Sequence, residues 1–337
     1  MKEAMLYEKL DNNMVHCYLC SHHCRIASGK RGLCGVRENF KGILKSLVYA
    51  EPIAIAVDPI EKKPLYHFLP ASKSYSLATK GCNFRCGFCQ NWQISQNPDS
   101  IAPFSSKKIF PQDIIEEAKK NDCASISYTY TEPTIFFEYA YDIACLAKKE
   151  GLKNIFVTNG YMTKETLEII EPYLDAANVD LKSFNEEFYS KNCGGHLKPV
   201  LDSIRLMHKL NIWIEITTLV IPGQNDSEGE LKNIAEFIAG ISKEIPWHIS
   251  RFHPDYKFSN YNHTTYEILK KAKSIAESVG LKYIYLGNVS DGTDTICFNC
   301  GKVLIKRDYF NVEKNNVRDN KCLFCQESIA GVFINPN

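Results

Sequence analysis

Between about Lys73 and Gly292, seven short runs rich in β-branched and aromatic residues alternate with amphipathic helical stretches, and this pattern restricts the chain to an α/β fold. Strands are expected at Tyr75–Thr79, Ser125–Thr129, Asn154–Thr158, Ala177–Leu181, Trp213–Thr218, Trp247–Arg251 and Tyr283–Leu286. Helices are expected to begin near Pro111, Thr134, Thr163, His196, Ser227 and Thr264, several opened by a proline or a Ser/Thr cap. Such repetition predicts a parallel sheet with right-handed crossovers. The pattern does not encode whether that sheet closes.

The first strand runs into Cys82-Asn83-Phe84-Arg85-Cys86-Gly87-Phe88-Cys89, three thiols in a CxxxCxxC spacing. Three ligands are one too few for a four-cysteine iron–sulfur cluster, and a zinc site would normally recruit a fourth protein ligand. The loop can instead place three sulfurs on three irons of a [4Fe–4S] cube and leave the fourth iron open. Of the fourteen cysteines, eleven fall into three metal-type clusters. Cys17, Cys20, Cys24 and Cys34 form a C-x2-C-x3-C-x9-C pattern that suits zinc or an auxiliary [4Fe–4S] cluster. Cys297, Cys300, Cys322 and Cys325 are spaced as in a zinc ribbon, where zinc or a rubredoxin-type iron fits equally. A segment that short has too little core to fold unaided, so its metal is expected to be a structural staple. Cys145 lies in the apolar pattern of a helix, while Cys193 sits in a glycine-flanked loop.

These features divide the chain into a cysteine-rich segment 1–70, an α/β unit 71–292 and a ribbon-like segment 293–337. Forty basic and thirty-nine acidic residues give a net charge of +1, so no global field recruits nucleic acid. Lys302, Lys306, Arg307, Arg318 and Lys321 nevertheless cluster near the last cysteines, a hint that the substrate or partner is RNA. No segment approaches the ~20 apolar residues of a membrane helix. Together with cysteines in metal-type spacings, this points to a reducing, cytoplasmic setting without membrane contact.

The run Gly81-Cys82-Asn83-Phe84-Arg85-Cys86-Gly87-Phe88-Cys89 resembles the signature of radical S-adenosylmethionine (SAM) enzymes. That resemblance implies a partial (β/α)6 barrel with small metal-binding segments at both ends, and chemistry at the C-terminal ends of the strands. It also implies a [4Fe–4S] cluster on Cys82, Cys86 and Cys89, SAM chelated to the open iron, an external one-electron donor, and a 5′-deoxyadenosyl radical as the agent. Residues 73–292 resemble the barrel of pyruvate formate-lyase activating enzyme. By that likeness Glu132 would bind the SAM amino group, although Tyr130 and Thr131 replace the two glycines that precede it in the family. Asn159 would lie near the ribose and methionine part, Lys182 beside Asp180 would pair with the SAM carboxylate, His253 would approach the ribose, and Phe88 would pack on adenine. The whole chain, from Cys17-Tyr18-Leu19-Cys20 to Ile329-Ala330-Gly331-Val332, looks like the AmmeMemoRadiSam system radical SAM family, which implies Memo-type and Ammecr-type partners. Two other readings are activation of a glycyl-radical enzyme and, from another class, a metal-binding RNA or protein adaptor. The substrate is not written in these motifs.

Overall fold

All seven expected strands form in the computed structural model, which describes residues 1–96, 104 and 107–333. An additional strand precedes them. In chain order the central sheet contains β1 (Ala54–Pro59), β2 (Lys73–Ala78), β3 (Ser125–Tyr128), β4 (Lys153–Thr158), β5 (Ala176–Asp180), β6 (Trp213–Val220), β7 (Trp247–Arg251) and β8 (Ile284–Gly287). Six helices alternate with the parallel strands: α1 (Pro111–Lys120), α2 (Phe137–Lys149), α3 (Lys164–Ile170), α4 (Leu197–Lys209), α5 (Glu228–Ile241) and α6 (Tyr266–Val279). Their starts follow the caps, with Thr163, Ser227 and Thr265 side chains accepting from backbone N–H groups of the first turn.

Neighbours in the sheet follow chain order from β1 to β8. Every pairing from β2 to β8 is parallel, and only the β1–β2 edge is antiparallel. Among the described residues no ladder joins β8 to β1, so the (β/α)6 arrangement is an open, partial barrel. Its core interleaves buried strand residues such as Leu77, Ile126, Val179 and Ile249 with the apolar faces of the helices, including Ile143, Ile204 and Leu269. The sheet begins at residue 54, inside the stretch 1–70. Residues 54–59 lack the alternation that announces a strand, because an edge strand is held by one neighbour only, and Pro59 closes it where no ladder donor is needed.

The N-terminal residues form two small antiparallel sheets, one of Tyr7–Lys9, Val15–Cys17 and Cys24–Ile26, the other of Lys2–Glu3, Arg37–Phe40 and Ile43–Ser46. A buried ion pair latches them to α2: Arg37 Nη2 lies 2.8 Å from Glu138 Oε1, and both side chains are at most 2% exposed. The same carboxylate oxygen accepts the Met5 N–H at 2.7 Å.

At the other end, Thr295–Ile296, Val303–Asp308 and Asn311–Asn315 make a three-stranded antiparallel sheet. The last four residues of the expected segment 293–337 lie outside the described residues. Arg307 is not part of a basic face. It is buried, donates to Thr295 Oγ1 and the carbonyls of Thr293 and Tyr66, and lies over the Tyr66 ring at 4.3 Å. Beneath it, the strap of residues 60–69 is tied to the barrel by Glu215, which accepts the N–H groups of Tyr66 and His67 and the Nε2–H of His248. His67 donates from Nδ1 to the Ala330 carbonyl and accepts the Tyr285 hydroxyl at Nε2.

Candidate functional site

The cysteine loop leaves the C-terminal end of β2 through Gly81, whose φ of +96° suits glycine. A Cβ there would stand 2.9 Å from the Cys34 carbonyl oxygen and 2.8 Å from Val36, so the N-terminal sheets and the loop interlock. His22 Nε2 donates to the Asn83 carbonyl at 2.8 Å from the same side. Across the loop, Arg85 N–H and Gly87 N–H donate to the carbonyls of Cys193 and Asn192. The loop backbone is thus clamped from both sides.

The three thiols line one cavity of about 590 Å³ at the C-terminal ends of the strands. Phe84 N–H points at Cys82 Sγ (3.3 Å), and Ser95 Oγ lies 3.3 Å from Cys89 Sγ. Burial holds Cys82 well above the usual thiol range and raises Cys89. Cys86 is held high first by the Cys193 thiol beside it and then by burial. Thiols this reluctant to ionise become ligands only when a metal supplies the countercharge. An all-sulfur set of three, with N–H and O–H donors aimed at the sulfurs and a cavity beyond them, fits an iron–sulfur cluster with one open corner.

Four of the expected SAM contacts share that cavity with Phe88: Glu132, Asn159, Asp180 and Lys182. Glu132 follows β3 and caps the turn Pro133–Phe136. Its carboxylate accepts Thr134 N–H (3.1 Å), Thr134 Oγ1 (2.5 Å), Thr158 Oγ1 (2.7 Å) and Asn159 N–H (2.8 Å). Burial nevertheless raises its pKa, with those donors acting against the shift. Asn159 donates in turn to Asn83 Oδ1 at 2.8 Å, which ties the end of β4 to the cysteine loop. Lys182 Nζ pairs with Asp180 Oδ2 at 2.9 Å and stands 5.9 Å from the Phe88 ring centroid. Burial works to lower the Lys182 pKa, but Asp180 and the nearby thiols hold the ammonium well above its ordinary value.

His253 is not brought to this cavity. Phe252 is buried, with its N–H held by Thr264 Oγ1, so the next side chain turns outward. The exposed His253 ring packs edge-on to His263 at 4.6 Å, and Nδ1 meets the Pro254 carbonyl. The ribose contact expected of it therefore has no support in this arrangement.

Several cavity residues escaped sequence reasoning. Lys62 and Lys63 reach it from the strap, and Phe310 reaches it from the C-terminal sheet. Lys62 Nζ and Lys63 Nζ both pair with Asp58 (2.9 and 2.5 Å), which also accepts the Tyr130 hydroxyl, while Lys63 lies 4.7 Å over the Tyr130 ring. Burial pushes Lys63 down to about 8. Tyr130 adopts φ +61°, a conformation that favours glycine, and its ring is held by Asp58 and Lys63. The charged run Asp58-Pro59-Ile60-Glu61-Lys62-Lys63 beside the barrel was the available signal.

The flanking cysteines gather as well. Cys17 and Cys24 sit opposite each other on paired strands, and Cys20 and Cys34 act electrostatically on the same neighbourhood. Arg37 adjoins them: burial works against its charge, yet Glu138 and the thiols of Cys17, Cys34 and Cys20 hold it up, and Nε and Nη1 have no protein partner. Two unpartnered guanidinium nitrogens beside the thiols fit a thiolate-bound metal centre of negative charge. In the C-terminal set all four sulfurs lie within 4.8 Å of one another, with Cys297–Cys325 at 3.6 Å and Cys300–Cys322 at 3.8 Å. Tetrahedral coordination at ~2.3 Å requires sulfurs about 3.8 Å apart, so this set fits a single metal ion.

An open barrel with three thiols at the mouth of its first parallel strand defines a class of cluster-dependent enzymes. The family description "Radical SAM superfamily" matches residues 76–238. An uncharacterized protein of Methanocaldococcus jannaschii is 46% identical over 334 residues, 98% of this chain and 99% of its own. A second protein of that organism, provisionally named a glycyl-radical enzyme activating enzyme, is 30% identical over 236 residues, 68% of this chain and 85% of its own. A radical SAM methyltransferase from Sphaerobacter thermophilus shares the fold, with a TM-score of 0.51 at 14% identity over 70% of this chain and 71% of that one. The chain belongs to the radical SAM superfamily and is a radical SAM enzyme. No helix among the described residues is long and apolar enough to cross a membrane.

Proposed function

We propose that Cys82, Cys86 and Cys89 hold a [4Fe–4S] cluster and that the adjoining cavity binds SAM. The observation that carries this reading is the convergence of three thiols, Cys86 buried and Cys82 and Cys89 half-buried, with Glu132, Asn159 and the Asp180–Lys182 pair in one cavity. When bound, the cluster supplies the electron that breaks a carbon–sulfur bond of SAM, giving methionine and a 5′-deoxyadenosyl radical. Glu132 offers its charge to the SAM ammonium, Lys182 offers a compact cation to the SAM carboxylate, and Phe88 gives adenine an apolar surface. Glu132 and Asn159 also fix the loop through the Asn159–Asn83 bond, so the SAM side and the thiols move as one unit.

The C-terminal thiols suit zinc or a single iron as a staple, and the N-terminal thiols suit zinc or an auxiliary cluster beside Arg37. An external one-electron donor is required. Likeness across the whole chain supports a place in the AmmeMemoRadiSam system with Memo-type and Ammecr-type partners, in the cytoplasm. The relative named for glycyl-radical enzyme activation favours that activity as the second reading.

Anaerobic reconstitution followed by dithionite reduction should yield 5′-deoxyadenosine and methionine from SAM. A Cys82/Cys86/Cys89 triple-alanine variant should stay folded and yield none. Cleavage at the wild-type rate in that variant would refute the assignment. Mass spectrometry of RNA, protein and small-molecule fractions after incubation with the partner proteins identifies the product.

A further inference from the structure

Apart from Glu132, Asp180 and Lys182, the cavity wall carries a second charged group at the strap. Lys182 is matched by Asp180, whereas Lys62 and Lys63 share the single carboxylate of Asp58, which leaves the trio with one positive charge. In the reading above, Glu132 meets the SAM ammonium and Lys182 the SAM carboxylate, so SAM does not answer that charge. Lys63 is buried with its ammonium 2.5 Å from Asp58, so the charge that Asp58 leaves unmatched is carried by the half-exposed Lys62 at the cavity wall.

A second observation comes from the C-terminal sheet. Val303–Asp308 and Asn311–Asn315 are joined by a two-residue turn, Tyr309-Phe310, a place ordinarily given to Asn-Gly. Tyr309 takes φ +52°, a strained conformation for a bulky residue, and both rings are largely exposed at the tip. Phe310 lines the same cavity as Lys62 and Lys63. Phe310 thereby offers an exposed aromatic face at the cavity.

We infer that Lys62, Lys63 and Phe310 form the substrate-binding wall, and that the group they bind is a nucleotide, its phosphate on the lysines and its base on Phe310. Lysine ammonium groups recognise phosphate as point charges, and a base stacks on an aromatic ring without regard to sequence. The inference rests on the assignment of the remaining cavity to SAM.

The test uses the anaerobically reconstituted protein with saturating SAM and titrates uridine 5′-monophosphate, uridine, inorganic phosphate and a short oligouridylate by calorimetry. Uridine 5′-monophosphate should bind without displacing SAM and more tightly than uridine. Lys62→Ala and Lys63→Ala should weaken it about tenfold or more and flatten its salt dependence. Phe310→Ala should weaken the nucleotide by a similar factor but leave inorganic phosphate unaffected. The exposed control Lys198→Ala should change nothing. Tighter binding of oligouridylate than of the monomer places the nucleotide in an RNA chain, and equal binding marks a free nucleotide. No binding of any nucleotide probe, displacement of SAM by the monophosphate, or unchanged affinity in all three wall variants overturns the inference. If the wild-type protein cleaves SAM and yet binds no nucleotide, only the wall is refuted. Failure to cleave SAM refutes the reading beneath it.

Discussion

Glu138→Ala would leave the Arg37 guanidinium buried without its carboxylate and the Met5 N–H without its acceptor. The two charges are 2.8 Å apart, which is worth about 6 kcal/mol of attraction at an effective dielectric of ~20, much of it offset by desolvation. Removing one partner of such a pair costs about 3–5 kcal/mol, because the other charge remains buried. Replacing both with apolar residues, as in Arg37→Met/Glu138→Leu, should recover most of that loss, especially as Arg37 Nε and Nη1 and Glu138 Oε2 already lack protein partners. Urea unfolding of the metal-loaded wild type, both single variants and the double variant provides the cycle, with proteolysis of residues 1–53 as a local readout. A Glu138→Ala cost below about 1 kcal/mol would show that the latch is not a buried ion pair in solution. If the double variant folds stably but loses metal from Cys17, Cys20, Cys24 and Cys34, the guanidinium serves the thiols rather than the fold.

Other outcomes follow from the same reasoning. Glu132→Ala and Lys182→Ala should each weaken SAM binding by about 1–3 kcal/mol, the worth of a charged hydrogen bond, whereas His253→Ala should change it little; equilibrium binding under anaerobic conditions checks all three. Burial depresses His67 from 6.5 to about 4, so the folded state binds fewer protons than the unfolded state between those values, and stability must fall as pH drops through this window. The loss attributable to His67 between pH 7 and pH 5 is about 2 kcal/mol, and His67→Phe should flatten that part of a pH series of unfolding curves. Cys300→Ser/Cys325→Ser should release the C-terminal metal and expose residues 293–333 to protease without altering the visible spectrum of the barrel cluster; an altered spectrum would show the two centres to be coupled.

The strands, the helix starts and the C-terminal four-cysteine set were legible because each is written locally, in period, cap or spacing. The edge strand Ala54–Pro59 was not, since its partner lies beyond the strap and its pattern lacks alternation. Arg37 and Glu138 are a hundred and one residues apart, and nothing near either announces a buried pair. Lys62, Lys63 and Phe310 enter the cavity through tertiary packing of segments that read as flanking modules. His253 lies past the end of β7, where Phe252 rather than His253 is buried, and family position alone does not carry which of two neighbours faces inward.

The strap that carries Lys62 and Lys63 is pinned beyond them by Glu215 of the barrel, and by Arg307 and the Ala330 carbonyl of the C-terminal segment. Among the described residues the thiol loop makes no hydrogen bond to that segment. A molecule short of its C-terminal metal would thus retain the means to generate a radical while losing the grip that directs it. On the reading proposed above, the ribbon metal would have to be in place before the cluster for SAM cleavage and the grip of the strap to coincide.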